Sequence, residues 1–243
     1  MHHSQSYTIR FIKKRKLTKD TYIFYFEKPK GFDFIAGQYN RWTLPISVKD
    51  GRGSSRFFTI SSPPSKKDAL VVTTKLIQSD FKNALLELEK GQKIKTFGPM
   101  GQFVLDKNSE KEHVFLAGGM GITPFYSMLA NAVAKNNKNK FTLFASFTIP
   151  EEVIFLDELT KITKNHPNIN VTYTVTKPQA SQMPWKGETG KISKDMLKKY
   201  QINIPGSIFY IVGPPPMVEE LQKLLEDMHV PNEQIKTEQF TGY

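Results

Sequence analysis

Residues 113–125, reading HVFLAGGMGITPF, constrain the fold more than any other part of the chain. Val114 to Ala117 form a short unbroken apolar run, the mark of a strand buried on both faces. Gly118, Gly119 and Gly121 follow. Thr123 and Pro124 then open a helical pattern in which Phe125, Met128, Leu129 and Ala132 recur on one side. Proline is expected at the first helical position, where its missing N–H has no partner to lose. Strand, glycine turn and helix start, in that order, make a phosphate site in α/β proteins. The glycines let the backbone approach a ligand, and the helix N-terminus offers unpaired N–H groups and a positive dipole end. A third glycine is missing from the usual dinucleotide fingerprint, so a plain βα corner is the competing reading of this stretch alone.

The rest of the chain divides around that stretch. After residue 111 strands and helices alternate. Strands are expected at 113–117, 141–147, 170–176 and 207–212, and helices at 124–135, 151–164, 193–199 and 216–228. A last short strand is expected at 235–239. Such alternation predicts a parallel sheet with helices on both faces and ligands beyond the strand C-termini. Two glycine or proline breaks fall at such ends, at 118–124 and at Gly213-Pro214-Pro215-Pro216. Before residue 108 the pattern is different. Six short runs, at 7–16, 21–27, 39–44, 57–61, 70–75 and 93–97, are rich in β-branched and aromatic residues and bounded by turn residues. They predict a small closed antiparallel barrel. Ser79 and Asp80 cap a single helical stretch through Leu88. The expected organisation is a β-barrel domain over residues 1–108 and an α/β parallel-sheet domain over 109–243.

Charge follows the same division. The net charge of +11 splits into +10 for residues 1–110 and +1 for the remainder, and all five arginines lie before residue 57. That asymmetry points to an acidic partner for the first domain. The chain has no cysteine, which excludes disulfides, thiolate-bound zinc and cysteine-ligated iron–sulfur clusters within it. No metal-ligand set stands out. No apolar run is long enough to span a bilayer and no signal-peptide pattern is present, so a cytoplasmic protein is expected.

A second constellation lies in the barrel: Arg56-Phe57-Phe58-Thr59-Ile60-Ser61-Ser62-Pro63. In a strand, Arg56, Phe58 and Ile60 share one side, with Phe57 and Thr59 on the other. An arginine, an aromatic ring and a hydroxyl suit a flat ligand with a phosphate tail. A surface arginine on an edge strand is the competing reading.

Taken together, Arg56-x-Phe58-Thr59, Gly98-Pro99-Met100-Gly101, Gly118-Gly119-x-Gly121-Ile122-Thr123-Pro124 and Gly213-Pro214-Pro215-Pro216-Met217 stand in the order and spacing of one family. The chain resembles the ferredoxin–NADP reductase superfamily, in which a β-barrel FAD domain precedes an NAD(P) domain. The resemblance covers residues 7–243 and implies bound FAD with NADH or NADPH as co-substrate. It implies that Arg56 holds the FAD pyrophosphate together with Ser79, Phe81 and Lys82. Phe58, where the family usually has tyrosine, would stack on the flavin without that hydroxyl's hydrogen bond. Thr59 would lie near flavin N5, and Thr73, Thr74 and Lys75 would run beside the cofactor. Gly118, Gly119, Gly121, Thr123 and Pro124 would form the pyrophosphate turn of the nicotinamide dinucleotide. Gly213, Pro214 and Met217 would line the nicotinamide approach.

Two departures from the family pattern stand out. Val212 occupies the place of a cysteine that many members carry near nicotinamide C4, which implies slower hydride transfer. Glu238-x-Phe240 resembles the Glu-x-Tyr at which plant-type members end, but three residues follow here. Glu238 is thus a candidate catalytic residue, and either Phe240 or Tyr243 covers the second flavin face. The implied activity is electron exchange between NAD(P)H and an external acidic carrier, ferredoxin or flavodoxin, at the basic barrel. A free-flavin or ferric-chelate reductase is the nearest alternative. A basic nucleic-acid-binding protein is the alternative from another class, but it leaves the residues after 111 unexplained. Residues 111–243 contain no arginine and Glu151-Glu152 follow the second sheet strand, so NADH is expected over NADPH.

Overall fold

In a computed structural model of the 243-residue chain, residues 4–47, 50–77, 79–106 and 109–241 are described. They form two compact units. The first comprises residues 1–105 with 126–131, and the second 106–125 with 132–243.

The first unit is a six-stranded antiparallel sheet. Its strands are β1 (Gln5–Lys16), β2 (Thr21–Glu27), β3 (Tyr39–Thr43), β4 (Ser55–Thr59), β5 (Ala69–Lys75) and β6 (Lys93–Met100), in spatial order β4-β3-β6-β1-β2-β5. Strand alternation sends Phe11, Phe24, Phe26, Trp42, Leu70 and Val72 to one core, which helix α1 (Asp80–Glu87) covers with Phe81 and Leu85. Ser79 caps α1, its Oγ accepting from Lys82 N at 3.2 Å. The two edge strands are joined just beyond Thr59. Ser61 N donates to Val71 O at 2.8 Å and Val71 N to Ser62 Oγ at 3.2 Å, while the Ser61 and Thr73 hydroxyls meet at 2.9 Å. Residues 61 and 62 therefore draw β4 against β5 and leave the barrel nearly closed, which removes most of its open edge. The strand expected at 57–61 is set two residues earlier, because Ser61 and Ser62 serve this junction and not the ladder.

The second unit is a parallel sheet in the order β10-β9-β8-β7-β11-β12. Its strands are β7 (Glu112–Gly118), β8 (Phe141–Phe147), β9 (Ile169–Val175), β10 (Glu188–Thr189), β11 (Ser207–Gly213) and β12 (Ile235–Gln239). Every residue of β7, β8 and β11 is buried, as strands sandwiched between helices require. Helices α2 (Ile122–Ala134), α3 (Leu156–Asn165), α4 (Lys194–Lys199) and α5 (Pro215–Asp227) cover the faces. Phe115 stacks on Phe125 of α2, ring centroids 4.6 Å apart, on one face. Val114, Leu116, Phe209 and Ile211 pack with Leu197 of α4 and with Val218, Leu221 and Leu225 of α5 on the other.

Two expected helices begin elsewhere. A 3-10 turn over Gly119–Gly121 runs straight into α2, so the helix starts at Ile122 and Pro124 is its third residue, not its first. The proline is still harmless, since N–H groups of the first turn have no helical acceptor. The helix expected from 151 starts only at Leu156. Residues 150–152 make a separate 3-10 turn, and Phe155 takes a left-handed φ of +60° with its ring buried, which breaks the two apart. The two-residue strand β10 was not legible in the sequence, being too short for any period.

Candidate functional site

Two sites emerge, one in each unit. In the barrel, Arg56 on β4 stands at the centre of a cationic cluster. Its Nη1 donates to three carbonyls of its own loop, Arg52 at 2.9 Å, Gly53 at 2.8 Å and Ser55 at 2.8 Å. Gly51 and Gly53, both with φ near +70°, fold that loop back over the guanidinium. The guanidinium also lies 5.2 Å from the Phe81 ring centre, and Phe58 sits 5.9 Å from the same ring. Its Nη2 is buried without a hydrogen-bond partner, with Asp50 Oδ2 at 3.8 Å.

Lys82 completes the cluster from α1. It is 6% exposed, and its Nζ donates to Lys75 O at 2.7 Å. Burial, with like charge from Arg56, Arg52 and Lys75, holds its ammonium down at about 8. The structure thus brings Arg56, Phe58, Lys75, Ser79, Phe81 and Lys82 together. Thr59, Thr73 and Thr74 are buried in β4 and β5. The Thr73 hydroxyl already pairs with Ser61, and Thr74 Oγ1 donates to Lys75 O at 3.3 Å.

Sequence reasoning missed Asp50 and Arg52. Asp50 N donates to Asp80 Oδ2 at 3.0 Å and Asp80 N to Asp50 Oδ2 at 3.2 Å, which latches the loop onto the start of α1. The Arg52 amide, donating at 2.9 Å, holds the Asp50 carboxyl below its usual range. The signal was Asp50-Gly51-Arg52-Gly53, a turn sequence with a charge at each alternate position.

In the second unit the turn after β7 meets the turn after β11. A Cβ on Gly121 would fall inside van der Waals distance of Val212 O, and one on Gly118 would strike Met217 Sδ and approach Pro214. Gly119 differs: its φ is +52° and nothing lies within 4 Å of where a Cβ would stand. Two glycines are thus there for packing, and one for a backbone turn with open space above it. Thr123 Oγ1 donates to Met120 O at 2.8 Å, fixing the turn. Gly118, Gly119, Gly121, Thr123, Pro124, Gly213, Pro214 and Met217 all belong to this one corner.

Glu238 lies beside it on β12, opposite Val212 in register, and Phe240 N donates to Gly213 O at 2.9 Å. The Glu238 Oε2 is buried with no hydrogen-bond partner, and burial pushes the carboxyl up to about 7. Tyr243, the other aromatic expected over the flavin, lies outside the described residues.

Known proteins match both halves of this picture. Residues 115–223 fit the oxidoreductase NAD-binding domain family. The chain is 30% identical over 187 residues to one component of the Na(+)-translocating NADH-quinone reductase of a Marinomonas species, covering 75% of this chain and 44% of that one. It is 26% identical over 189 residues to the reductase component of a Pseudomonas phenol 2-monooxygenase, covering 76% and 52%. It therefore spans about half the length of these curated relatives. Among solved structures it superposes on an Amycolatopsis cytochrome P450 reductase with a TM-score of 0.86 at 19% identity, over 100% of this chain and 72% of the other. A ferredoxin NADP+ reductase of Neisseria gonorrhoeae, solved with FAD and NADP, gives 0.80 at 23% identity, over 96% and 98%. The chain shares its fold with these solved reductases, the second of which holds FAD and NADP, and its residues 115–223 match the NAD-binding family.

The residues present fit those cofactors. A buried guanidinium nitrogen without a hydrogen-bond partner, beside a lysine depressed by burial and like charge, is satisfied by a diphosphate. The open side of Gly119 leaves space at the turn ahead of α2 for a second one.

Proposed function

We propose that this chain is an FAD-dependent NAD(P)H oxidoreductase that passes electrons to a separate acidic carrier, ferredoxin or flavodoxin. The observation that carries the reading is the Arg56 cluster, a cationic site with one guanidinium nitrogen left over for a ligand. FAD, held by Arg56, Ser79 and Lys82, would supply the redox chemistry that links the reduced nicotinamide to the acceptor. The chain's own part is to hold and orient. Arg56 and Lys82 neutralise the FAD diphosphate, with the α1 start and Ser79 beside them. Phe58 gives the flavin an apolar wall, and Thr59, Thr73, Thr74 and Lys75 border it. The turn from Gly118 to Thr123 takes the nicotinamide diphosphate, Pro124 opening the helix behind it, and Gly213, Pro214 and Met217 form the wall opposite. Glu238, half protonated near pH 7, keeps an exchangeable proton beside that wall, and Phe240 is positioned by Gly213.

Monooxygenase reductase components among the relatives support an external electron acceptor. No described helix is long and apolar enough to cross a membrane. The visible absorption spectrum of the purified chain tests the reading, before and after anaerobic NADH or NADPH. Flavin bands that bleach with either donor are expected. A colourless protein that reduces added flavin redirects the assignment to a free-flavin reductase. A colourless protein without such activity overturns it.

A further inference from the structure

The cationic cluster of the barrel already holds an anion, and it is the chain's own. Asp50 Oδ2 accepts from Asp80 N, the first amide of α1, at 3.2 Å and lies 3.8 Å from Arg56 Nη2. A guanidinium on one side and a first-turn helix amide on the other are the partners a phosphate oxygen takes. The second oxygen, Oδ1, accepts from Arg52 N at 2.9 Å, so both oxygens of the carboxylate are held. That contact keeps the carboxyl below its usual range, and it is ionised at neutral pH. Asp80 returns the first contact, its Oδ2 accepting from Asp50 N at 3.0 Å.

The same carboxylate restricts entry. Arg56 Nη2 is buried, and the Arg56 and Asp50 side chains are only 19% and 20% exposed. No ligand oxygen reaches Nη2 until a neighbour moves. The guanidinium is fixed, because three carbonyls hold Nη1 and the Phe81 ring packs against it. Asp50 is an exposed loop residue, so its side chain has solvent to turn into. A diphosphate and a carboxylate cannot share that place without like-charge repulsion. We propose that Asp50 is an internal competitor for the flavin diphosphate, its carboxylate standing where a phosphate oxygen would, between Arg56 and the start of α1. Asp50 must therefore yield its place for FAD to bind, and FAD is held less tightly than the cations alone would hold it. The assignment rests on the oxidoreductase reading above. The opposing view makes Asp50 a clip that shapes the site, and it predicts the opposite sign: removing the carboxylate would weaken FAD binding.

The test titrates the full chain, stripped of flavin, with FAD and reads Kd from the change in flavin fluorescence. Asp50→Asn removes the charge and keeps an oxygen for the Asp80 amide, whereas Asp50→Ala removes both. ADP, a diphosphate without a flavin, is the second probe, read by its competition with FAD. Asp50→Asn is expected to lower both the Kd for FAD and the inhibition constant of ADP by about tenfold, the effect of removing one adjacent like charge. Asp50→Ala is expected to do the same, with thermal melts to check its folding; should it not fold, Asp50→Asn decides. FAD affinity unchanged or weakened in Asp50→Asn overturns the competition and leaves the oxidoreductase reading intact. Tighter FAD without tighter ADP also overturns it, since the charge then acts on the flavin and not on the diphosphate. If wild type and Asp50→Asn both fail to bind FAD, the FAD-dependent reading itself falls, and the competition with it.

Discussion

The two candidate ligand corners are built on opposite principles. The corner of the parallel sheet is steric: Gly118 and Gly121 are there because Met217, Pro214 and the Val212 carbonyl leave no room for a Cβ. The corner of the barrel is electrostatic: Arg56, Lys82, Arg52 and Lys75 gather where burial penalises the charge of Lys82, and carbonyls of residues 52, 53, 55 and 75 offset part of that cost. A steric corner fails abruptly when one methyl is added. An electrostatic corner fails gradually and responds to pH and salt.

The sharpest way to break the comparison is Gly121→Ala. Its methyl meets backbone that cannot step aside, so a loss of about 3 kcal/mol or more of stability is expected. Gly119→Ala puts a methyl into open space at a left-handed φ, and should cost only about 1–2 kcal/mol. Thermal melts of the two variants decide it; equal losses would mean the corner is not governed by packing. In the barrel, Arg56→Ala removes the proposed charged phosphate contact and should weaken FAD binding by about 1.5–3 kcal/mol, measured by equilibrium titration. Retention of FAD at wild-type affinity would remove Arg56 from the site.

The same contrast explains what was legible in the sequence. The glycine corner is local: strand, turn and helix are contiguous, so apolar run, glycines and helical period announced it. Only the helix register was misjudged, because the turn at 119–121 flows into α2 without a cap residue. The barrel corner is assembled from residues 50–56, 75 and 79–82, and no period connects them. Arg56 was found through its family motif, while Asp50 and Arg52 were not found, since their role depends on where a loop folds back.

Protonation sharpens the comparison next. Burial holds Glu238 at about 7, above its ordinary value of 4.5, so the folded state binds more protons than the unfolded state between those values. Its contribution is intact below pH 4.5 and lost as pH rises through 7. Glu238→Gln should therefore remove that decline and raise stability at pH 8 by about 1–2 kcal/mol. Lys82 runs the other way: its folded value of about 8 lies below 10.5, so the cofactor-free protein should gain stability from pH 8 to 10.5. FAD affinity should fall over that same range, because the diphosphate needs the ammonium. Denaturation and FAD titration from about pH 6 to about pH 10 read both effects, and flat profiles would show that neither group is as buried as its surroundings indicate.

The smallest effect expected is the choice of nicotinamide. Recognition of a 2′-phosphate usually employs arginine, whose fork suits phosphate geometry, and residues 111–243 contain none. Glu151 and Glu152 lie in the turn after β8, not in the first turn of α3, where Asp157 and Glu158 already interact with the helix dipole. Glu151 Oε1 instead accepts from Ser181 Oγ, and Lys177 N donates to Thr148 O, so the loops after β8 and β9 are tied together with a carboxylate between them. A carboxylate there favours ribose hydroxyls and repels a phosphate. Lys177 is the counterweight, since lysine binds phosphate as a point charge. The expected result is a preference for NADH of a few-fold in kcat/KM with ferricyanide as acceptor, about 1 kcal/mol, and Glu151→Ala should narrow it. A tenfold advantage for NADPH would reverse the assignment and make Lys177 the specificity residue, which Lys177→Ala would then expose.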